Sequence, residues 1–163
     1  MRLSLTTASV LGVTLSAASA SAQTAQTTMD VSATVVDACL VTATDLAFGT
    51  YNPTATSPTD ATSTIDVTCT PGTSFTVGLS AGTTAGATVS ARQMASGAER
   101  LDYALYSDAP RSTNWGNTPG TDTPAASIAS GTPTVLTVYG RVPAQQAVPA
   151  GSYTDTITIT VSY

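Results

Sequence analysis

The 163 residues contain no histidine and no lysine. A Ser-His-Asp triad, a Cys-His pair and a lysine base are therefore all excluded. A pair of carboxylates, as in a glycosidase, needs neither. Glu99, Asp102, Asp108 and Asp155 are the candidates, and each reads more simply as a turn or solvated-face residue. No glycine-rich loop opens a helix to cradle phosphate, and no DxDxDG loop offers calcium ligands. The inventory points away from an enzyme and gives no reason to expect a cofactor or a metal.

Cys39 and Cys69 are the only cysteines. In an exported chain they are expected to form one disulfide, the alternative being two free thiols. Such a bridge closes a loop of about 30 residues, for which chain entropy gives about 3.6 kcal/mol. After Arg2, the only cations are Arg92, Arg100, Arg111 and Arg141. Each is expected to partner a nearby acid at little net gain. Arg141, beside the last strands, is also a candidate for binding a partner's carboxylate.

Export itself is read from the N-terminus. Arg2 precedes an apolar stretch through Val10, Leu11, Val13 and Leu15, and Ala18-Ser19-Ala20 and Ala20-Ser21-Ala22 both fit a small-x-small cleavage site, the second being preferred. Residues 1–22 are thus expected to be a signal segment, too short and too rich in Ser and Thr to span a bilayer comfortably. Removing Arg2 leaves four arginines against ten acids, a net charge of −6. That balance disfavours nucleic acid and anionic lipid as partners.

The elements that must carry these residues alternate with a period of two. From Tyr153 to the end, Tyr153, Ile157, Ile159, Val161 and Tyr163 face one way, with Asp155 alone interrupting the apolar row. The pattern predicts a half-buried strand over the whole run, one that needs neighbours on both edges. Met29, Val31, Ala33 and Val35 form a second alternating row near the mature N-terminus. Further strands are expected at Cys39–Val41, Ile65–Cys69, Phe75–Leu79, Val89–Met94 with Arg92 outward, Leu101–Tyr106 and Val135–Val142. Residues 54–63, 81–87, 97–100 and 108–128 read as loops or turns, and Trp115 as a lid over one end of the core. No helix is expected after residue 22. The architecture is an all-β sandwich with mostly antiparallel pairing.

Several short motifs, in order, resemble one family. Cys39 is followed by Leu46-Ala47-Phe48-Gly49-Thr50-Tyr51 and Ile65-Asp66-Val67-Thr68-Cys69. Leu101-Asp102-Tyr103-Ala104-Leu105-Tyr106, Trp115-Gly116 and Val138-Tyr139-Gly140-Arg141-Val142 come next, then Ala150-Gly151-Ser152-Tyr153-Thr154-Asp155-Thr156-Ile157. Together they resemble the spore coat protein U domain, whose members are similar to the subunits of archaic, Csu-type chaperone–usher pili. The resemblance implies an incomplete immunoglobulin-like β-sandwich over 37–163, completed by a donor strand. A periplasmic chaperone would supply that strand first. In the fibre it would come from a neighbouring identical or related pilin, head-to-tail, after passage through an outer-membrane usher. Residues 23–36 would be the donor extension, with Met29, Val31, Ala33 and Val35 as its anchors. The last strand would face the chaperone or donor. Localisation at the cell surface, with roles in adhesion and biofilm formation, follows from the same resemblance.

Physical reasoning supports the donor reading. Met29 to Val35 spans about 20 Å at about 3.3 Å per residue, enough to place four side chains along an open groove. Head-to-tail contacts do not close, so they build filaments. Two other readings compete. Residues 28–36 could be an ordinary edge strand of their own domain. The whole could also be a self-sufficient secreted binding module, for sugars for example, using Trp115 and the tyrosines.

Overall fold

A computed structural model describes residues 21–163. Residues 1–20, which hold most of the expected signal segment, lie outside the described residues. The chain divides into two units, Met1–Thr34 and Val35–Tyr163. All strands belong to the second, and no helix occurs among the described residues.

The strands are β1 (Cys39–Ala43), β2 (Thr59–Cys69), β3 (Ser74–Leu79), β4 (Arg92–Ser96), β5 (Glu99–Tyr106), β6 (Ser127–Ile128), β7 (Thr134–Val142) and β8 (Ile159–Ser162). Five form a sheet in the order β1-β2-β7-β5-β4, and three form a second in the order β6-β3-β8. Every ladder is antiparallel. Alternation decides which face is buried. In β2, Ile65, Val67 and Cys69 are buried, while Thr64, Asp66 and Thr68 between them are not. Leu101, Tyr103 and Leu105 of β5 and Val138 and Val142 of β7 join them from the large sheet. Phe75, Val77 and Leu79 of β3 close the core from the small one. Burying each such side chain contributes about 1.5–3 kcal/mol. The all-β sandwich is therefore what the sequence pattern implied.

Cys39 and Cys69 stand opposite each other in the β1–β2 register and are joined by a disulfide. It ties the edge strand β1 to the core and marks one end of the sandwich, here the disulfide end. β2 arrives there at Cys69, the Pro71-Gly72 turn reverses the chain, and β3 leaves again. β1 runs away from the disulfide end. β8, antiparallel to β3, runs back towards it.

Several expectations are corrected. β2 starts at Thr59, within the expected loop, because its polar half pairs residue for residue with Val138–Val142 of β7. The turn after β4 is only Gly97-Ala98, with Gly97 at φ 60° and Ser96 paired to Glu99. Glycine at the first position of a two-residue hairpin loop is what a tight turn of this hand requires. Two-residue β6 falls inside the expected loop 108–128. Trp115, expected as a lid, is a core residue 1% exposed, and its indole Nε1 donates to the Val77 carbonyl at 2.8 Å. Arg92, expected outward, is 0% exposed.

Gly140 permits a close approach that bears on the site. A Cβ on Gly140 of β7 would meet Phe48 Cζ at 2.8 Å and the Leu46 methyls at 3.0 Å. The missing side chain lets the segment after β1 lie across the core face of the large sheet.

Candidate functional site

That crossing begins at Thr44. The β1–β2 ladder stops at Ala43↔Ile65. The Thr44 hydroxyl then takes the place of a backbone acceptor, receiving the Thr64 N–H at 3.0 Å. The Ser63 hydroxyl donates to the Thr44 carbonyl. Held in this way, the chain peels off the sheet edge and carries Leu46, Phe48 and Tyr51 over the core. Tyr51 is anchored far along the chain: its hydroxyl donates to the Pro143 carbonyl at 2.9 Å and accepts the Gln146 N–H at 2.8 Å. Gln146 in turn clasps the backbone of Asp102, accepting its N–H at 2.8 Å and donating to its carbonyl at 2.9 Å.

Between this segment and the C-terminal run lies an open groove of mixed lining, somewhat more apolar than polar, made of two hollows. One, of about 440 Å³, is lined by Ala43, Ile65, Leu105, Ile157 and Ile159 among others. The second, of about 640 Å³, reaches Tyr51, Leu101, Val142, Val148 and Pro149. Leu46, Phe48, Met94 and Tyr153 line both, so the hollows adjoin. These wall residues pack on the core yet stay only partly buried. The first hollow reaches Ala43 of β1 and Ile159 of β8, and both strands are edges: β1 pairs only with β2, and β8 only with β3. Unpaired edge groups beside a strip of half-buried apolar side chains are the features that accept an added strand.

The C-terminal run keeps its expected alternation but not its expected pairing. Tyr153, Asp155, Ile157, Ile159 and Val161 are half-buried, the residues between them are exposed, and Tyr163 is 62% exposed. Only Ile159–Ser162 forms a ladder, with β3. Thr154 instead exchanges both backbone hydrogen bonds with Ala95 of β4, at 2.8 and 3.1 Å. The run therefore links the small sheet to β4 across the gap where β3 ends.

Asp155, expected as a solvated interruption, faces inward. Its carboxylate accepts from the Tyr103 hydroxyl at 2.7 Å, the Thr83 N–H at 2.8 Å, the Thr83 hydroxyl at 3.0 Å and the Thr156 N–H at 2.8 Å. Burial alone would raise its pKa. The Thr83 amide, the Tyr103 hydroxyl and the Thr156 amide outweigh it and hold the carboxyl below its ordinary value. Burial first, and then the neighbouring carboxylate, push the Tyr103 hydroxyl well up. A depressed carboxyl pKa gives stability that is present above the unfolded value, about 3.9, and lost as pH falls through the folded one. Acid should therefore weaken the native chain more than an Asp155→Asn variant. In urea melts the gap between the two is expected to shrink below about pH 4; an unchanged gap at pH 3 would mean that this carboxylate does not contribute in that way.

The four arginines among the described residues are all engaged within the chain. Arg92 Nε donates to the Ser80 carbonyl at 2.8 Å, and Nη1 to Val89 at 2.7 Å. Its Nη2 reaches the Leu79 and Trp115 carbonyls at 2.9 and 2.7 Å. Arg141 does not await a partner's carboxylate, because it grips Asp60 of β2 in a fork at 2.7 and 2.8 Å. Arg111 joins the same carboxylate at 3.3 Å and lies over the Tyr139 ring. Arg100 serves the Gly97 and Glu99 carbonyls of its own hairpin.

Ahead of β1, residues 21–38 form no strand. Met29, Val31 and Val35 are 84%, 84% and 82% exposed, and Ala33 is exposed too. An alternating row without a paired edge has nothing to make it a strand.

A model of the Spore Coat Protein U domain matches residues 25–160. "Protein U" of Myxococcus xanthus is 34% identical over 129 residues, covering 72% of this chain and 71% of its own. Among solved structures, the chain is similar to one chain of the CsuC–CsuE chaperone–tip adhesion subunit pre-assembly complex from the archaic chaperone–usher Csu pili of Acinetobacter baumannii. The TM-score is 0.60 at 24% identity, over 80% of this chain and 40% of the matched one.

Proposed function

Since the chain belongs to the Spore Coat Protein U domain family, we propose that it is a structural pilus subunit that polymerises by donor-strand exchange. The groove is its acceptor site: Tyr153, Ile157 and Ile159 line it, Val161 and Tyr163 continue the same row beyond it along and after β8, and these five meet the incoming strand. Residues 23–36 are the donor extension, whose Met29, Val31, Ala33 and Val35 enter the groove of the next identical or related subunit. A periplasmic chaperone occupies the groove first, and an outer-membrane usher exchanges it for the donor. The product is a surface fibre that serves adhesion and biofilm formation.

The observation that carries this reading is the groove itself: a hollow that reaches the edge strands β1 and β8 at Ala43 and Ile159, adjoined by a second hollow under residues 46–53 and 148–153. The family and the fold similarity support it and are those of structural subunits rather than enzymes. A sugar-binding module resting on Trp115 is not favoured, because a ring 1% exposed offers no stacking face. Deleting residues 23–36 is expected to leave a chain that still binds a chaperone but forms no polymer in size-exclusion chromatography. Polymers of unchanged length would refute the donor assignment.

A further inference from the structure

The last residues before β1 are tethered. The Thr70 hydroxyl donates to the Val36 carbonyl at 3.2 Å and lies 3.2 Å from the Ala38 N–H, which donates to it. The Thr70 N–H donates to the Ala38 carbonyl at 2.9 Å, and the Thr73 hydroxyl donates to the Asp37 carboxylate at 2.7 Å. Residues 36–38 thus continue the line of β1 along the Thr70–Thr73 turn at the disulfide end. They do not reverse there.

The registers make this consequential. β1 leaves the disulfide end and β8 returns to it. A strand lying antiparallel to β8 in the groove must finish with its C-terminal residue far from the disulfide end. For Met29–Val35 that displacement is about 20 Å. Val35 is four residues from Cys39, which reach at most about 14 Å. A chain therefore cannot place its own extension antiparallel to β8. It could enter only as a hairpin on β1, parallel to β8, by turning back within residues 36–38. Those are the residues that the two threonines hold.

We infer that Thr70, Thr73 and Asp37 are positioning residues that direct the extension outward to a second copy and keep it out of its own groove. The inference rests on the donor-strand reading above and adds to it the reason that the exchange is intermolecular. Thr70→Val with Thr73→Val removes both hydroxyls at nearly constant volume. Inserting Gly-Ser-Gly between Val36 and Asp37 supplies the missing turn by an independent route.

The purified chain, residues 23–163, is followed by light scattering and native-state hydrogen exchange after dilution from denaturant. Either variant is expected to polymerise at least tenfold more slowly than the parent. It should accumulate as a monomer whose Val31 and Ala33 amides are protected at a rate independent of concentration. Thr70→Ser is expected to retain the parent's behaviour. Protection of those amides is a readout that mere loss of stability would not produce. Parent-like polymerisation in both variants, with unprotected amides in the residual monomer, would overturn the inference. A separate arm mixes a synthetic 23–36 peptide with the chain lacking those residues. If the peptide raises the melting temperature, the donor reading stands whatever the variants do. If it does not, that reading fails and the inference falls with it.

Discussion

A chain carrying Val31→Asp and Val35→Asp is expected to fold as the parent does and to lose polymerisation altogether. Both valines are more than 80% exposed, so neither contributes to the sandwich. As groove anchors each would contribute about 1.5–3 kcal/mol of burial. A carboxylate in the same place adds the cost of desolvating a charge with no partner. The two changes together exceed about 4 kcal/mol, and at about 1.4 kcal/mol per decade the contact weakens by about 1,000-fold or more. Asp30→Asn and Ser32→Ala sit on the opposite side of the alternating row and should change the polymerisation rate by less than about twofold. Light scattering against time separates the sets. Equal rates in the double-aspartate chain would place the assembly contact elsewhere.

The alternating rows were legible because a period of two is local. Ile65, Val67 and Cys69, or Ile157, Ile159 and Val161, identify their buried face within a few residues. Met29–Val35 carries the pattern of a strand as well, and among the described residues it pairs with none. What escaped was long-range. Tyr51 meets Gln146 across 95 positions, and no local pattern in Pro143–Pro149 announces a clamp. β2 gains its first five residues from pairing to β7, although Thr59–Ser63 reads as loop by composition. Asp155 and Arg92 were misplaced for one shared reason. A charged residue in a strand is assigned outward by default, since burial is affordable only when several partners converge on it. Apart from Thr156 and Val89, those partners come from distant stretches: Leu79, Ser80 and Trp115 for Arg92, and Thr83 and Tyr103 for Asp155.

Arg92→Met should be among the most damaging single substitutions in the folded unit. Methionine fills much of the space but leaves the carbonyls of Leu79, Ser80, Val89 and Trp115 without the donors they now have. Each buried acceptor left unpaired costs about 1–3 kcal/mol. Relaxation and water entry recover part of this, so a net loss of about 3–5 kcal/mol is expected. A domain of this size has about 5–15 kcal/mol in all. The opposing effect is real: burial disfavours the charged guanidinium and lowers its pKa. It is offset because four carbonyls and the fields of the Asp155 and Asp122 carboxylates surround the group. Arg92→Lys keeps the charge, yet one ammonium with three donors cannot satisfy four diverging carbonyls, so it should recover only part of the loss. Urea midpoints of the chains lacking residues 23–36 are expected in the order parent, lysine, methionine, from most to least stable. The consequence reaches the groove. Arg92 holds the end of β3 against β4 and the Trp115 segment, next to the point where Thr154 bridges to Ala95 and Asp155 is gripped by Thr83. Loosening that junction should free the wall residues Tyr153–Ile159, so peptide affinity should fall in the same order as stability. Parent-like stability and affinity in Arg92→Met would mean that the wall is held by apolar packing alone.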